Sequence, residues 1–163
     1  MEKISDCFLC LGSNLGKREK NLARARNLLQ KEGVMIVSRS SLYETEPVGV
    51  GEQPWFINQV LHVRVRHTPK HFLHLVLEIE RKIGRQQKGK GEPRVIDIDI
   101  LLYGETVMKT KDLSIPHPRL SQRNFVLIPL VEIGSQIVHP VKKKTMADLM
   151  RNSEDKGIVR KIN

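Results

Sequence analysis

Residues Val95-Ile96-Asp97-Ile98-Asp99-Ile100-Leu101-Leu102 set two carboxylates two positions apart inside an otherwise aliphatic run. A strand turns successive side chains to opposite faces. Asp97 and Asp99 therefore share one face, with Cα atoms about 6.5 Å apart, while Ile96, Ile98 and Ile100 share the other and can anchor against helices. Two like charges this close repel, so something must compensate them. Hard divalent cations with oxygen ligands do so, and Mg2+ commonly binds through one or two carboxylates plus substrate phosphates. A pair shared between two ions would suit an in-line displacement at phosphorus. The competing reading is a solvent-facing polar stripe in which each Asp pairs with a Lys or Arg, and the pair alone leaves the two level.

The neighbouring residues shift that balance. Upstream, Arg81-Lys82-Ile83-Gly84-Arg85-Gln86-Gln87-Lys88-Gly89-Lys90-Gly91-Glu92-Pro93-Arg94 holds six bases and one acid around three glycines. Gly84-x4-Gly89-Lys90 begins a phosphate-binding P-loop pattern, but Gly91 stands where Ser or Thr is required. A P-loop also leaves a strand and enters a helix, whereas this loop runs the other way, so the P-loop is rejected. What remains is a cationic loop joined to a carboxylate pair, a combination that would neutralise a triphosphate and the charge developing in its transfer. A third cluster is Ser114-Ile115-Pro116-His117-Pro118-Arg119-Leu120-Ser121-Gln122-Arg123-Asn124-Phe125. The two prolines fix the backbone around His117, which could donate to phosphate or cap a turn. His67, His71 and His74 have no carboxylate in register and read as helix-surface residues.

The elements that must position these clusters follow from periodicity and turn residues. A strand is expected over 4–11 and a glycine turn over 12–16. A helix over 17–31 shows Leu22, Ala25, Leu28 and Leu29 on one face, and a second strand spans 34–43. A long loop, 44–53, is punctuated by Pro47, Gly49 and Gly51; loops of this length inside a compact domain are usually functional. Strand 56–65 and helix 69–83 come next, the helix bounded by Pro69 and Gly84 in the usual asymmetry. Strands over 95–103 and 106–108 and helices over 124–133 and 145–150 complete the chain. The order β-α-β-β-α-β is that of a ferredoxin-like α+β sandwich, an antiparallel sheet with helices on one face. One domain over 1–163 is expected, its core about 3–150, with 151–163 a loose basic polar tail.

Composition narrows the function classes. Lys and Arg total 28 against 18 for Asp and Glu, a net charge of +10 that points to an anionic partner without naming it. Aromatics are 4% of the chain, too few for a platform that stacks single-stranded bases, and no Lys/Arg-Gly-Phe-Gly-Phe-Val run is present. No nucleic acid is therefore expected as partner. The acidic start and the lack of a long apolar run speak against a signal peptide or membrane span, so no membrane is expected either. Cys7 and Cys10 have C-x-x-C spacing but lie within a strand, three apart and so on opposite faces; they read as buried thiols of a cytoplasmic protein.

Taken in order, five pieces resemble one family. They are Leu11-Gly12-Ser13-Asn14-Leu15-Gly16, Tyr43-Glu44-Thr45-Glu46-Pro47-Val48-Gly49, Gln53-Pro54-Trp55-Phe56-Ile57-Asn58, Pro93-Arg94-Val95-Ile96-Asp97-Ile98-Asp99-Ile100, and Pro116-His117-Pro118-Arg119-Leu120 through Arg123-Asn124-Phe125. The family is 6-hydroxymethyl-7,8-dihydropterin pyrophosphokinase, of folate biosynthesis, and the resemblance spans roughly residues 8 to 140. It implies transfer of the β,γ-diphosphate of ATP to the pterin hydroxymethyl group, with release of AMP. It also implies two Mg2+ ions on Asp97 and Asp99, and a catalytic role for Arg85 and Arg94 beside them. ATP would be bound by Glu80, Arg85, Lys88, Arg94, Ile100, Ser114, His117 and Arg123. The pterin would lie among Thr45, Glu46, Pro47, Val48, Phe56, Asn58 and Phe125, and the enzyme would be a monomer or weak homodimer. One departure is Gly91-Glu92-Pro93, where many members carry an aromatic residue and Gly-Pro. A Mg2+-dependent nucleotidyltransferase would use a similar Asp pair but would release pyrophosphate.

Overall fold

A computed structural model of the 163-residue chain describes residues 3–48, 52–84 and 93–162. Six strands make one antiparallel sheet: β1 (Ser5–Ser13), β2 (Met35–Arg39), β3 (Leu42–Thr45), β4 (Phe56–Val65), β5 (Asp97–Tyr103) and, after a short hairpin of β6 (Met108–Lys109) and β7 (Ser114–Ile115), β8 (Val159–Ile162). Among the described residues four α-helices accompany them: α1 (Arg18–Lys31), α2 (Pro69–Ile83), α3 (Asn124–Gly134) and α4 (Met146–Arg151). The sheet runs β5-β1-β4-β3-β8, with β2 also paired to β4. Strand β1 is therefore an interior strand, flanked by β5 and β4.

Helices cover both faces of the sheet, where one covered face was expected. On one side Leu22, Ala25 and Leu29 of α1 and Phe72, Val76 and Ile79 of α2 pack on Cys7, Leu9 and Leu11. On the other, Val126, Leu127 and Leu130 of α3 and Met146 and Leu149 of α4 pack on Phe8, Cys10 and Val60. The run Cys7 to Leu11 is unbroken in apolar residues because both of its faces are buried, the pattern of a doubly covered strand. Cys7 and Cys10 fall in different cores, as their spacing requires, and are free thiols.

The single strand expected over 34–43 is two. Ser40 interrupts it: its N–H donates to the Val60 carbonyl at 2.9 Å and its Oγ accepts from Val60 N–H at 2.9 Å. Its own carbonyl accepts from Gln59 Nε2 at 2.8 Å. The detour lets β2 pair with the Leu61 to Arg64 half of β4 and β3 with the Phe56 to Asn58 half. Strand β3 is fastened to α3 by Glu132, which accepts from Tyr43 Oη at 2.6 Å and from Ser41 Oγ at 2.8 Å.

Helix α2 begins and ends where the sequence signals lie. The Thr68 hydroxyl accepts from His71 N–H, Pro69 is the first helical residue, and Gly84 terminates the helix at φ +115°. His71 and His74 lie on its exposed surface, while His67 precedes the helix and stacks on Phe72. The segment after Arg151, expected to be loose, returns to the sheet: β8 pairs with β3 from Leu42–Ile162 to Thr45–Val159. No helix among the described residues is long and apolar enough to cross a membrane.

Phe72 is fully buried at the centre of the α1–α2 core. Phe72→Ala is expected to cost about 3–5 kcal/mol, read as a shift in the urea midpoint at constant slope. A loss below about 1 kcal/mol would show that this core does not carry the fold.

Candidate active site

The alternation of β5 does what its sequence requires. Ile96, Ile98 and Ile100 join the core beneath α1 and α2, and Asp97 and Asp99 turn to the side that carries α3. There Asp97 is paired across β1 with Gly12, and Gly12 in turn with Asn58 of β4; one step along, Asp99 lies opposite Cys10. Gly12 is needed because of its neighbours: a Cβ there would stand 2.5 Å from Asn58 Oδ1 and 3.4 Å from the Phe56 ring. Asn58 is buried and donates to Thr45 Oγ1 at 2.6 Å. Thr45 faces Phe56 in the β3–β4 register. One row of the sheet thus runs from Asp97, over a bare glycine, to Asn58, with the Thr45–Phe56 pair next to it and joined to Asn58 by the Thr45 hydroxyl.

A bulge brings His117 to the carboxylate end of this row. Leu9 pairs with Ile100 and Phe8 with Leu102, so Leu101 is an extra residue in β5. Leu101 and Leu102 consequently both enter the α3–α4 core, and Tyr103 returns to the opposite one. The carbonyl of Leu101 accepts from His117 N–H at 2.9 Å. His117 Nδ1 accepts from Arg119 N–H at 3.1 Å, which assigns the proton of the neutral ring to Nε2. Burial, helped by the charges of Arg123 and Arg119, lowers the imidazolium pKa to about 4. His117 is therefore a neutral donor throughout the physiological range. Arg123, just ahead of α3, stacks its guanidinium over Phe125 at 5.4 Å.

Asn14 holds the approaches. Its Oδ1 accepts from Arg94 N–H at 2.7 Å, and its own N–H donates to the Arg94 carbonyl at 3.0 Å. Its Nδ2 donates to Gln53 Oε1 at 3.1 Å and to the Pro54 carbonyl at 3.0 Å. So fixed, Arg94 reaches Asp97 with Nη1 at 3.2 Å from Oδ1.

The expected residues fall into distinct groups. Asp97, Asp99, Arg94, His117 and Arg123 gather at the carboxylate end, Thr45, Phe56 and Asn58 lie beyond Gly12, and Phe125 lies against Arg123. Glu80 is 3% exposed and accepts from Ile98 N–H at 2.8 Å, so it braces the start of β5. The Ile100 side chain lies in the core on the opposite face, so only its backbone is available to a ligand. Ser114 is half-buried in β7. Glu46 spends one carboxylate oxygen on Ile158 N–H at 2.6 Å, Pro47 is half-buried, and Val48 is 67% exposed. Arg85 and Lys88 lie outside the described residues, as does the Gly91-Glu92 departure. Sequence reasoning assigned no role to Gly12 or Asn14. An Asn directly after an apolar strand was a usable signal for the second, whereas the first depends on a neighbour 46 positions away.

Burial, then the adjacent Asp97 charge, pushes the Asp99 carboxyl up to about 7, with Arg123 and Arg94 opposing. No group of three or more His, Cys, Asp or Glu among the described residues forms a closed metal cage. Two carboxylates side by side on one strand face fit a hard cation that completes its shell with water and substrate oxygens. The sign of the linkage is definite. A raised carboxyl pKa stabilises the fold most below the unfolded value near 3.8, and that contribution is lost as pH rises through about 7. In chelator, Asp99→Asn should therefore raise the melting temperature more at pH 8 than at pH 5. Equal gains at the two pH values would contradict the assigned strain.

Residues 8–135 match the family model described as 7,8-dihydro-6-hydroxymethylpterin-pyrophosphokinase. A Bacillus subtilis (strain 168) protein named 2-amino-4-hydroxy-6-hydroxymethyldihydropteridine pyrophosphokinase is 40% identical over 131 residues, covering 80% of this chain and 78% of its own. A protein of the same name from Aquifex aeolicus (strain VF5) is 38% identical over 145 residues, covering 89% and 90%. The folic acid synthesis protein fol1 of Pneumocystis carinii is 36% identical over 151 residues, and the chain spans only 20% of its length. The crystal structure of wild-type Plasmodium falciparum HPPK-DHPS with pteroate shares the fold, with TM-score 0.76 and 16% identity over 93% of this chain and 42% of that one. By its matched residues and its relatives, the chain belongs to the 7,8-dihydro-6-hydroxymethylpterin-pyrophosphokinase family.

Proposed function

We propose that the row from Asp97 to Asn58, with Asp99 and Phe56 next to it, is where this chain carries out its family's reaction, within one domain and on one copy of the chain. The enzyme transfers the β,γ-diphosphate of ATP to the hydroxymethyl group of 6-hydroxymethyl-7,8-dihydropterin in folate biosynthesis. The observation that supports the placement is the sheet row in which Asp97, of the carboxylate pair, and Asn58, bonded to the Thr45 hydroxyl, are separated by one glycine. Such a row brings a polyphosphate site and a heterocycle site together without intervening side chains.

On this reading Asp97 and Asp99 would hold two Mg2+ ions, which when bound neutralise triphosphate oxygens and polarise the phosphorus under attack. Arg94 and Arg123 supply fixed positive charge for the triphosphate, and Arg85 and Lys88 belong to the same basic loop. His117 offers Nε2–H as a neutral donor, a role that adds a hydrogen bond without a further charge. Glu80, Ile100 and Ser114 border the nucleotide through backbone or supporting contacts. Asn58 and Thr45 read the polar edge of the pterin, Phe56 and Phe125 face its ring, and Glu46, Pro47 and Val48 close the slot from the 44–53 loop. Transfer of this kind asks the protein chiefly for positioning and charge neutralisation, so a strong general base is dispensable. A cytoplasmic setting accords with two buried, unbonded thiols.

Purified protein given ATP, Mg2+ and the hydroxymethyl-dihydropterin is expected to form AMP in step with pterin diphosphate. ADP as product, or pyrophosphate as in a nucleotidyltransferase, would sink this reading. Asp97→Ala should lower turnover by about a hundredfold or more with an unchanged far-ultraviolet circular dichroism spectrum; near-normal turnover would remove Asp97 from the site.

A further inference from the structure

The segment following α4 hydrogen-bonds to Asn124, next to Phe125, and to Glu46, both of them neighbours or members of the pterin group assigned above. At one end, Asp155 Oδ2 accepts from Asn124 N–H at 2.7 Å, and the Asp155 carbonyl accepts from Asn124 Nδ2 at 3.1 Å. Asn124 is the first residue of α3, between Arg123 and Phe125, and Arg123 in the capping position makes no side-chain cap. A helix start leaves unpaired N–H groups that a carboxylate satisfies well, both as acceptor and as charge. Here that carboxylate arrives from a segment 31 positions away. Asp155 Oδ1 also accepts from Gly157 N–H at 2.9 Å, which turns the chain toward β3.

At the other end, Ile158 N–H donates to Glu46 Oε1 at 2.6 Å and the Ile158 carbonyl accepts from Glu46 N–H at 3.2 Å. Val159 then pairs with Thr45. Arg160 binds Glu44 at 3.1 Å and lies over the Trp55 ring at 4.9 Å. Three residue steps, at most about 10 Å of chain, separate the hold on the Phe125 wall from the hold on the Thr45–Glu46 wall. Aromatic faces engage a ring only over a narrow range of separations, so a short tie between the walls governs the fit.

We infer that residues 153–162 are a positioning strap that sets the width of the pterin slot, with Asp155 its anchoring residue on the Phe125 side and Arg160 on the Thr45 side. This rests on the assignment of the slot given above. The Asp pair, Arg94 and His117 are held by β5, Asn14 and the Leu101 carbonyl; of the triphosphate group only Arg123 adjoins the strapped Asn124.

The test is steady-state kinetics of AMP formation with each substrate varied in turn, for the parent and for Asp155→Ala, Asp155→Asn and Arg160→Ala. Asp155→Ala should raise KM for the pterin about fivefold, the scale of a lost helix cap, with the ATP KM moved by less than about twofold. Asp155→Asn, which keeps a capping oxygen, should stay near the parent. Arg160→Ala should likewise raise the pterin KM. The double Ala variant should raise it by less than the product of the two single effects, because both act through one tie. Unchanged pterin KM values in a parent that turns over, equal shifts in both KM values, or strictly multiplicative single effects overturn the strap while leaving the reaction assignment intact. A parent that makes no AMP overturns both.

Discussion

Most of the site depends on the side-chain amide of Asn14. An amide offers one acceptor and two donors, and this buried one spends all three on backbone or side-chain groups of two other segments: Arg94 on one side, Gln53 and Pro54 on the other. These residues lie just ahead of β5 and β4. A single planar group therefore fixes Arg94, Gln53 and Pro54 against the end of β1. Arg94 can meet Asp97 because its own backbone is already held. Neither an aliphatic residue nor an Asp would do the same: the first has no polar atoms, and the second has no donors for the Pro54 carbonyl.

The fold and the site were unequally legible in the sequence. The carboxylate pair was visible because a period of two is a local property, and β4 and α2 were visible because Phe56 to Val65 and Pro69 to Gly84 carry their own boundary residues. Features set by contacts between distant segments were not. The Leu101 bulge follows from competition between two cores for one strand. The break at Ser40 follows from how its hydroxyl engages Val60. The second helical layer was foreshadowed only by the unbroken apolar run of β1. The terminal segment looked like solvated tail because its polar residues, Asp155 and Arg160, are polar for the sake of partners 31 and 116 positions away.

The charge surplus of +10 also takes on a more local meaning. Arg94 and Arg123 bear directly on the two aspartates, whereas Arg160, Arg18 and Arg64 are engaged with acids on the sheet: Arg18 and Arg160 share Glu44, and Arg64 binds Asp6. Exposed pairs of this sort contribute little to stability individually. Arg94 and Arg123 are instead half-buried beside the aspartates, where a charge counts for more than it does in water.

The extra residue in β5 has a consequence for how this strand can change over time. Ahead of Leu101 the even-numbered positions 96, 98 and 100 belong to the α1–α2 core, and beyond it that role passes to the odd-numbered Tyr103. The strand is thus written in two reading frames joined at one residue. Substitutions within either frame trade one side chain for another of its kind. Loss or gain of a single residue anywhere between Asp97 and Tyr103 would slide one frame against the other, exchanging acid for aliphatic at the floor of the site or detaching His117 from its carbonyl. Point replacement is therefore an open route of divergence in this strand, and change of length is a closed one.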